Sequence, residues 1–201
     1  MTHVHPPEIE IFNFPPVQLQ PAPFPHLRID GFLDERVAAS LLRWLESEAS
    51  WTSYEVLDFA RYYDVNPRTA RLYPLLNILS DDVLLAQMAA RVQQIFRVAL
   101  RPYVDMIAHK LIPGQSVGIH TDYDAMQTHR LIIHLNRGWT AQNGGVLLLH
   151  DEDDPAVPPS RRVPPIHRRA VAFEISPRSL HSISRVERGE RYSLVYTFFR
   201  A

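Results

Sequence analysis

Tyr103-Val-Asp-Met-Ile-Ala-His-Lys-Leu-Ile-Pro-Gly-Gln-Ser-Val-Gly-Ile-His-Thr-Asp122 is the stretch whose reading decides the fold. Short apolar runs begin at Tyr103, and the pair Pro113-Gly114 separates them, as a turn separates two strands. The stretch predicts strands over Tyr103–Leu111 and Val117–His120. The same texture continues to the end of the chain, with strands expected at Arg130–Leu135, Gly145–His150, Ala170–Glu174, His181–Arg185 and Arg191–Phe199. Asn143-Gly144-Gly145 and Arg188-Gly189 separate some of these runs. Between His150 and Ile166 runs an acidic, then Pro-rich, then basic loop.

Upstream the pattern is different. Pro6, Pro7, Pro15, Pro16, Pro21, Pro23 and Pro25 crowd the first 26 residues. Proline lacks an N–H donor and disfavours helix in the residue before it. That predicts an extended arm, with a short edge strand at Ile9–Phe14. His26–Ile29 reads as a strand, then Asp34 as the cap of a helix. Val37, Leu41, Leu42, Trp44 and Leu45 give that helix its apolar side as far as about Ala49. Ser80 or Asp81 caps a second helix whose stripe runs from Val83 to about Leu100. Residues 51–75 mix aromatics with arginines and read as a loop, packed on the core or serving as a lid. Helices first and short antiparallel strands after predict a mainly β fold: a β-barrel or jelly roll with helices packed on it.

A chain of 201 residues fits one domain, here divided as a Pro-rich arm (1–26), a mainly helical support and lid (27–102) and a jelly-roll core (103–201). Its 21 basic and 22 acidic residues balance, so no overall charge draws it to nucleic acid or an anionic membrane. No cysteine is present, which excludes thiol catalysis, thiolate metal sites and disulfides. No apolar run approaches a membrane span, and Met1–Ile11 lacks a basic segment followed by an apolar one. A cytoplasmic protein is the expectation.

His120-Thr-Asp122 stands at the end of a predicted strand, so one imidazole and one carboxylate can enter the same cavity. His181 opens a later strand. Two histidines and one carboxylate on one face of an octahedral ion leave positions open for other ligands, the ligand set of non-haem Fe(II) oxygenases. In a chain with ten histidines a lone His-x-Asp is weak evidence. Arg191-Tyr-Ser193 strengthens it. Two residues apart on a strand, Arg191 and Ser193 share a face. A guanidinium and a hydroxyl there form a clamp for a carboxylate.

These residues resemble the 2-oxoglutarate/Fe(II) dioxygenases, and within them the prolyl-hydroxylase-like branch. The resemblance rests on His120-Thr-Asp122, His134-Leu-Asn-Arg-Gly-Trp139, Gly144-Gly145-Val-Leu-Leu-Leu149, Ala170-Val-Ala-Phe173, His181 and Arg191-Tyr-Ser193, with Pro25–Asp34 as the opening segment. It implies a double-stranded β-helix core with N-terminal helices on one sheet. It implies that His120, Asp122 and His181 bind Fe(II) and that Arg191, with Ser193 beside it, holds the distal carboxylate of 2-oxoglutarate. His134 stands where relatives often have a tyrosine that touches the co-substrate. Arg130 alternates with it on the same strand face, within reach of the same pocket. Leu111 or Ile112 occupies another position where relatives often carry tyrosine. O2 is the implied second co-substrate, with ascorbate as an accessory reductant. Asp122 favours hydroxylation, because halogenating relatives lack that carboxylate.

The implied substrate is a small molecule, an amino acid or a peptide, with neither nucleic acid nor membrane as partner. The implied reaction hydroxylates an unactivated C–H bond and releases succinate and CO2. Desaturation or ring formation would use the same ligands. A jelly-roll binding module without turnover would have no use for the Arg191–Ser193 clamp. A zinc hydrolase with two histidines and an aspartate would need a carboxylate base, for which the sequence offers no good candidate. Ile119, Ile132, Leu147 and Phe173 read as barrel lining or core. Tyr123, Asp124 and Gln127, just after the metal motif, read as substrate-side residues. His109 and His150 read as structural.

Overall fold

The computed structural model describes residues 11–201. Residues 1–10, which hold most of the Met1–Ile11 reading and the first part of the strand expected at Ile9–Phe14, lie outside the described residues. Within them, Phe12 makes a single antiparallel bridge to Leu33.

Among the described residues eleven strands form one continuous antiparallel system that folds over on itself. They are β1 (His26–Ile29), β2 (Thr52–Val56), β3 (Ala60–Val65), β4 (Leu100–Leu111), β5 (Val117–His120), β6 (Gln127–His134), β7 (Leu147–Leu149), β8 (Arg161–Val163), β9 (Ala170–Glu174), β10 (His181–Ile183) and β11 (Arg191–Arg200). Their order is β1-β9-β6-β11-β4-β3-β5-β10-β7-β8, with β2 paired to β3. From β4 onward this is a jelly roll. One sheet is β9-β6-β11-β4, extended by β1. The other is β5-β10-β7-β8, and β3 bridges the two at the Ala60–Val117 pair.

Strand β11 shows why the sheet holds. Tyr192, Leu194, Tyr196 and Phe198 face one way, into a core shared with the helices. Arg191, Ser193, Val195 and Thr197 face the other way, into the barrel. All eight are buried, so the strand is covered on both sides. Its partners repeat the phase: Met106 and Ala108 of β4 and Leu131 and Ile133 of β6 join the helix-side core. Each buried aliphatic side chain contributes about 1.5–3 kcal/mol, so this layer anchors the molecule. Tyr196 ties it to the helices by donating its hydroxyl to the Leu79 carbonyl at 3.1 Å.

Helix α1 (Glu35–Ser47) begins where the Asp34 carboxylate accepts from the Arg36 and Val37 amides, satisfying otherwise orphan donors. Its side chain Trp44 is fully buried and donates to the Arg71 carbonyl at 3.0 Å. Trp44→Ala would cost about 3–5 kcal/mol. Helix α2 (Asp82–Phe96) is capped by Asp81 and stops before the expected Leu100, because Arg97 adopts the left-handed conformation and Leu100 starts β4. Among the described residues no helix is long and apolar enough to cross a membrane.

Residues 51–75 differ from the expected loop. They fold as the hairpin β2–β3, whose second strand pairs with β4, followed by a 3₁₀ turn at Pro74–Ser80. Tyr54, Tyr62 and Val65 are strand-formers, and the tip Leu57-Asp58 supplies the turn, with Asp58 at positive φ. The expected helical support therefore contains part of the sheet. Strand β8 was also not foreseen in the loop after His150. Arg162 and Val163 pair with Leu148 and Leu147.

Candidate metal centre and co-substrate pocket

His120 and His181 are direct partners across the antiparallel pair β5–β10, so both rings point inward, with centroids 4.2 Å apart. Each ring is fixed by its own backbone: Nδ1 of His120 donates to the Gly118 carbonyl at 2.8 Å, and Nδ1 of His181 to the Ser179 carbonyl at 2.8 Å. In that tautomer both Nε2 atoms present lone pairs to the cavity. Asp122 comes to meet them because its backbone takes a positive φ of 56°, turning its carboxylate back after the strand has ended. Nε2 of His120 lies 3.4 Å from one carboxylate oxygen and Nε2 of His181 lies 3.2 Å from the other. One ligand atom from each residue falls within 4.8 Å of the others. Two imidazole nitrogens and a carboxylate at this range call for a cation among them, a shared proton or a metal ion.

Burial opposes charge on Asp122. The contacts with His120 and His181 and the nearby Arg130 outweigh it, so the carboxyl stays ionised well below the usual range. Arg130 Nε approaches an Asp122 oxygen to 2.7 Å, but its N–H direction misses the oxygen, making a charge contact without a hydrogen bond.

Deeper in the barrel, Arg191 is fully buried. Its Nε donates to the Gly145 carbonyl at 2.8 Å and its Nη1 to the Ser193 hydroxyl at 3.3 Å, while Nη2 has no partner. Burial lowers its pKa to about 10, so it remains a cation. Gly145 makes the close approach possible. Its φ is +62°, and a Cβ there would stand 2.8 Å from Arg191 Cδ. Trp139 braces the same turn, its indole N–H donating to the Gly144 carbonyl at 2.9 Å. Asn136 pins the end of β6 to β11, accepting from the Tyr192 amide at 2.6 Å and donating to its carbonyl at 3.1 Å.

His134 is register partner to Ser193 and is fully buried, and neither ring nitrogen has a partner. Burial and the charges of Arg191 and Arg169 hold it neutral. An unpartnered guanidinium nitrogen on β11 and an unpartnered imidazole on the adjacent β6, both buried, leave an unmet demand for an acceptor. A dianionic keto acid fits these donors at its distal end, and the ferrous ion fits the His120–Asp122–His181 cluster.

The inner face of the larger sheet is built in rows across β6, β11 and β4. His134, Ser193 and His109 form one row, Ile132, Val195 and Ile107 the next, and Arg130, Thr197 and Asp105 the third. Arg130, expected on the same strand face as His134 and within reach of the co-substrate, is on that face but two rows away, next to Asp122, because four residues separate them on the strand. The cavity measures about 590 Å³. Ile132 and Leu147 line it, and so do Tyr123 and Gln127. Asp124 instead caps the next turn, accepting from the Met126 amide at 2.7 Å. Ile119, expected to face inward, lies against a hollow on the outer side of the smaller sheet, since it alternates with His120. His150 is on that side too, 2.8 Å from the Ser182 hydroxyl.

Three polar or aromatic cavity residues stand out among those that sequence reasoning missed. Tyr54 and Tyr62 belong to the unforeseen hairpin and stack at 4.7 Å, and Tyr62 lies 4.9 Å from His109. Burial pushes the Tyr62 hydroxyl up to about 12 and the His109 imidazole down to about 3, so both stay neutral. The third is Asp105, whose inward phase could have been counted from Leu111.

Residues 106–199 match the family model described as the 2OG-Fe(II) oxygenase superfamily. The β-rich core thus matches the model of a family of dioxygenases that work with Fe(II) and 2-oxoglutarate. No curated protein matches the chain in sequence. Among solved structures, a Pseudomonas putida prolyl-4-hydroxylase superposes with a TM-score of 0.70 at 18% identity, covering 88% of this chain and 92% of its own. A Trichoplax adhaerens prolyl hydroxylase, solved in complex with a hypoxia-inducible-factor peptide fragment, gives 0.69 at 16%, covering 87% and 83%. SnoN, an α-ketoglutarate-dependent epimerase of nogalamycin biosynthesis, gives 0.64 at 14%, covering 88% and 78%.

Proposed function

We propose that this chain hydroxylates an unactivated C–H bond of an amino-acid side chain, free or within a peptide, consuming O2 and 2-oxoglutarate and releasing succinate and CO2. The reading rests on one observation: two backbone-oriented imidazoles and a carboxylate converge within 4.8 Å, above a buried guanidinium with an unspent N–H. The likeness to two prolyl hydroxylases supports hydroxylation.

His120, Asp122 and His181 hold the Fe(II), and Gly118 and Ser179 fix the two rings through their carbonyls. Arg191, Ser193 and His134 hold the distal carboxylate of 2-oxoglutarate in a pocket closed to water. The iron, once loaded, supplies oxidising power toward an unactivated C–H bond. The row Ile132–Val195–Ile107 keeps the space between clamp and metal apolar, which strengthens the ionic contacts at either end.

The test is anaerobic titration of the Fe(II)-loaded protein with 2-oxoglutarate. A weak visible charge-transfer band is expected, and it should be absent from His120→Ala and right-shifted in titrant for Arg191→Met. A protein that binds metal but shows no band and forms no succinate in air is not a 2-oxoglutarate oxygenase. Product mass then separates hydroxylation, which adds an oxygen atom, from desaturation or ring closure, which removes hydrogen.

A further inference from the structure

The outermost row of the inner face, Arg130–Thr197–Asp105, is charged at both ends, positive on β6 and negative on β4. All three side chains line the cavity that also holds the metal cluster. From this pairing we infer that the substrate is a free α-amino acid bound as a zwitterion, its carboxylate on Arg130 and its ammonium on Asp105. The inference rests on the oxygenase reading and names the substrate class of that site.

Arg130 has hydrogens to spare. One on Nη1 goes to the Thr197 hydroxyl at 3.0 Å and one on Nη2 to Gln127 Oε1 at 3.2 Å. The Nε hydrogen is unspent, although Asp122 lies close by. That leaves donors for an incoming carboxylate in the forked arrangement that guanidinium offers. Asp105 accepts from the Met106 amide at 2.8 Å through one oxygen, which leaves the other for a ligand. Among the described residues no cation lies within ion-pair distance of it.

The two charges stand on strands separated only by β11, two interstrand spacings or about 10 Å of backbone. Both side chains rise from the same face, so the gap between them is that of a small molecule. Tyr62 and Tyr54 stand beside it as an aromatic wall. Asp122 sits next to Arg130, so a ligand anchored here lies beside the metal cluster. A residue inside a peptide has neither free end. It would leave the second donor set and the free carboxylate oxygen without charged partners and forfeit both ion pairs.

The experiment uses the full chain loaded with Mn(II) and 2-oxoglutarate, which binds without turnover. The twenty free L-amino acids are titrated singly by calorimetry. Each ligand that binds is retested as its N-acetyl derivative, its carboxamide and the doubly capped form. Blocking either end should weaken binding roughly 10- to 100-fold. Arg130→Gln should weaken the free acid but leave the carboxamide where it was. Asp105→Asn should weaken the free acid but leave the N-acetyl form where it was. A merely structural role for either residue would weaken all forms alike. Equal binding of the doubly capped form overturns the inference, and so does a panel in which no free amino acid binds. Succinate formation by the Fe(II) enzyme without substrate keeps the two readings apart. If it proceeds while the zwitterion pattern fails, only this inference falls. If it and co-substrate binding are both absent, both fall.

Discussion

Strand β11, which carries Arg191, runs ten residues and is buried for the first eight. Strands β5 and β10, which carry two ligands of the candidate metal centre, run four and three residues, and β5 is half-buried throughout. The co-substrate clamp is therefore part of the core, while the metal centre is assembled at the end of a thin sheet. It follows that side chains of the two groups differ in what they contribute to folding. The metal ligands bear on the metal, and the clamp bears on the packing of the barrel as well.

The largest expected effect falls on the thin side. His120→Ala or Asp122→Ala should lower succinate formation by at least roughly 10³-fold and abolish tight metal binding in dialysis. The thermal midpoint of the metal-free protein should barely move. A large drop in that midpoint would erase the contrast between the sheets.

On the thick side, Arg191→Met should weaken 2-oxoglutarate roughly 100-fold, since it removes one partner of a buried charge pair. The metal-free, ligand-free variant should also melt lower than the parent, because methionine cannot donate to the buried Gly145 carbonyl and Ser193 hydroxyl. Thermal melts with and without 2-oxoglutarate check both halves: the parent should gain stability on adding it, and the variant should not. A smaller effect is expected from Gly145→Ala. The added Cβ meets Arg191 Cδ at 2.8 Å, and the positive φ strains any side chain. A cost of about 1–3 kcal/mol is expected in urea unfolding.

The smallest effect is one of pH. His129 is buried against the Phe96 ring, and burial pushes its pKa down to about 4. The unfolded imidazole titrates near 6.5, so between about pH 6.5 and 4 the unfolded chain binds the proton that the folded chain refuses. Stability contributed by this group is full above 6.5 and declines as pH falls through that window. His129→Leu should flatten the pH dependence of the melting midpoint by a few degrees, roughly what 1–2 kcal/mol gives in a protein this size.

Much of this was legible in the sequence, for reasons specific to each part. Val117–His120 and Ala170–Glu174 were readable to the residue, because turn residues bracket short apolar runs. Arg191 and Ser193 could be placed on one face by period two, and the structure joins them by a hydrogen bond. The hairpin at 52–65 was not readable. Tyr62 and Asp64 face the barrel while Arg61 faces water, so no apolar alternation marks the strand. The depth at which Arg130 sits was also hidden. A strand-face argument says which side a residue takes, but its row depends on register with β11 and β4.

The hairpin β2–β3 has a further consequence. Every residue of β2 is exposed, its pairing is with β3, and Tyr54 and Tyr62 nonetheless reach the cavity. The outer strand β2 therefore meets the reaction chamber through Tyr54 yet bears little of the fold's weight, an exchangeable cassette hung on β3, which joins the two sheets. Transplanting it between homologues, or randomising the tip at Val56–Asp58 while keeping Phe59 against Gly118 and His120, offers a route to new selectivity without retuning the barrel beneath.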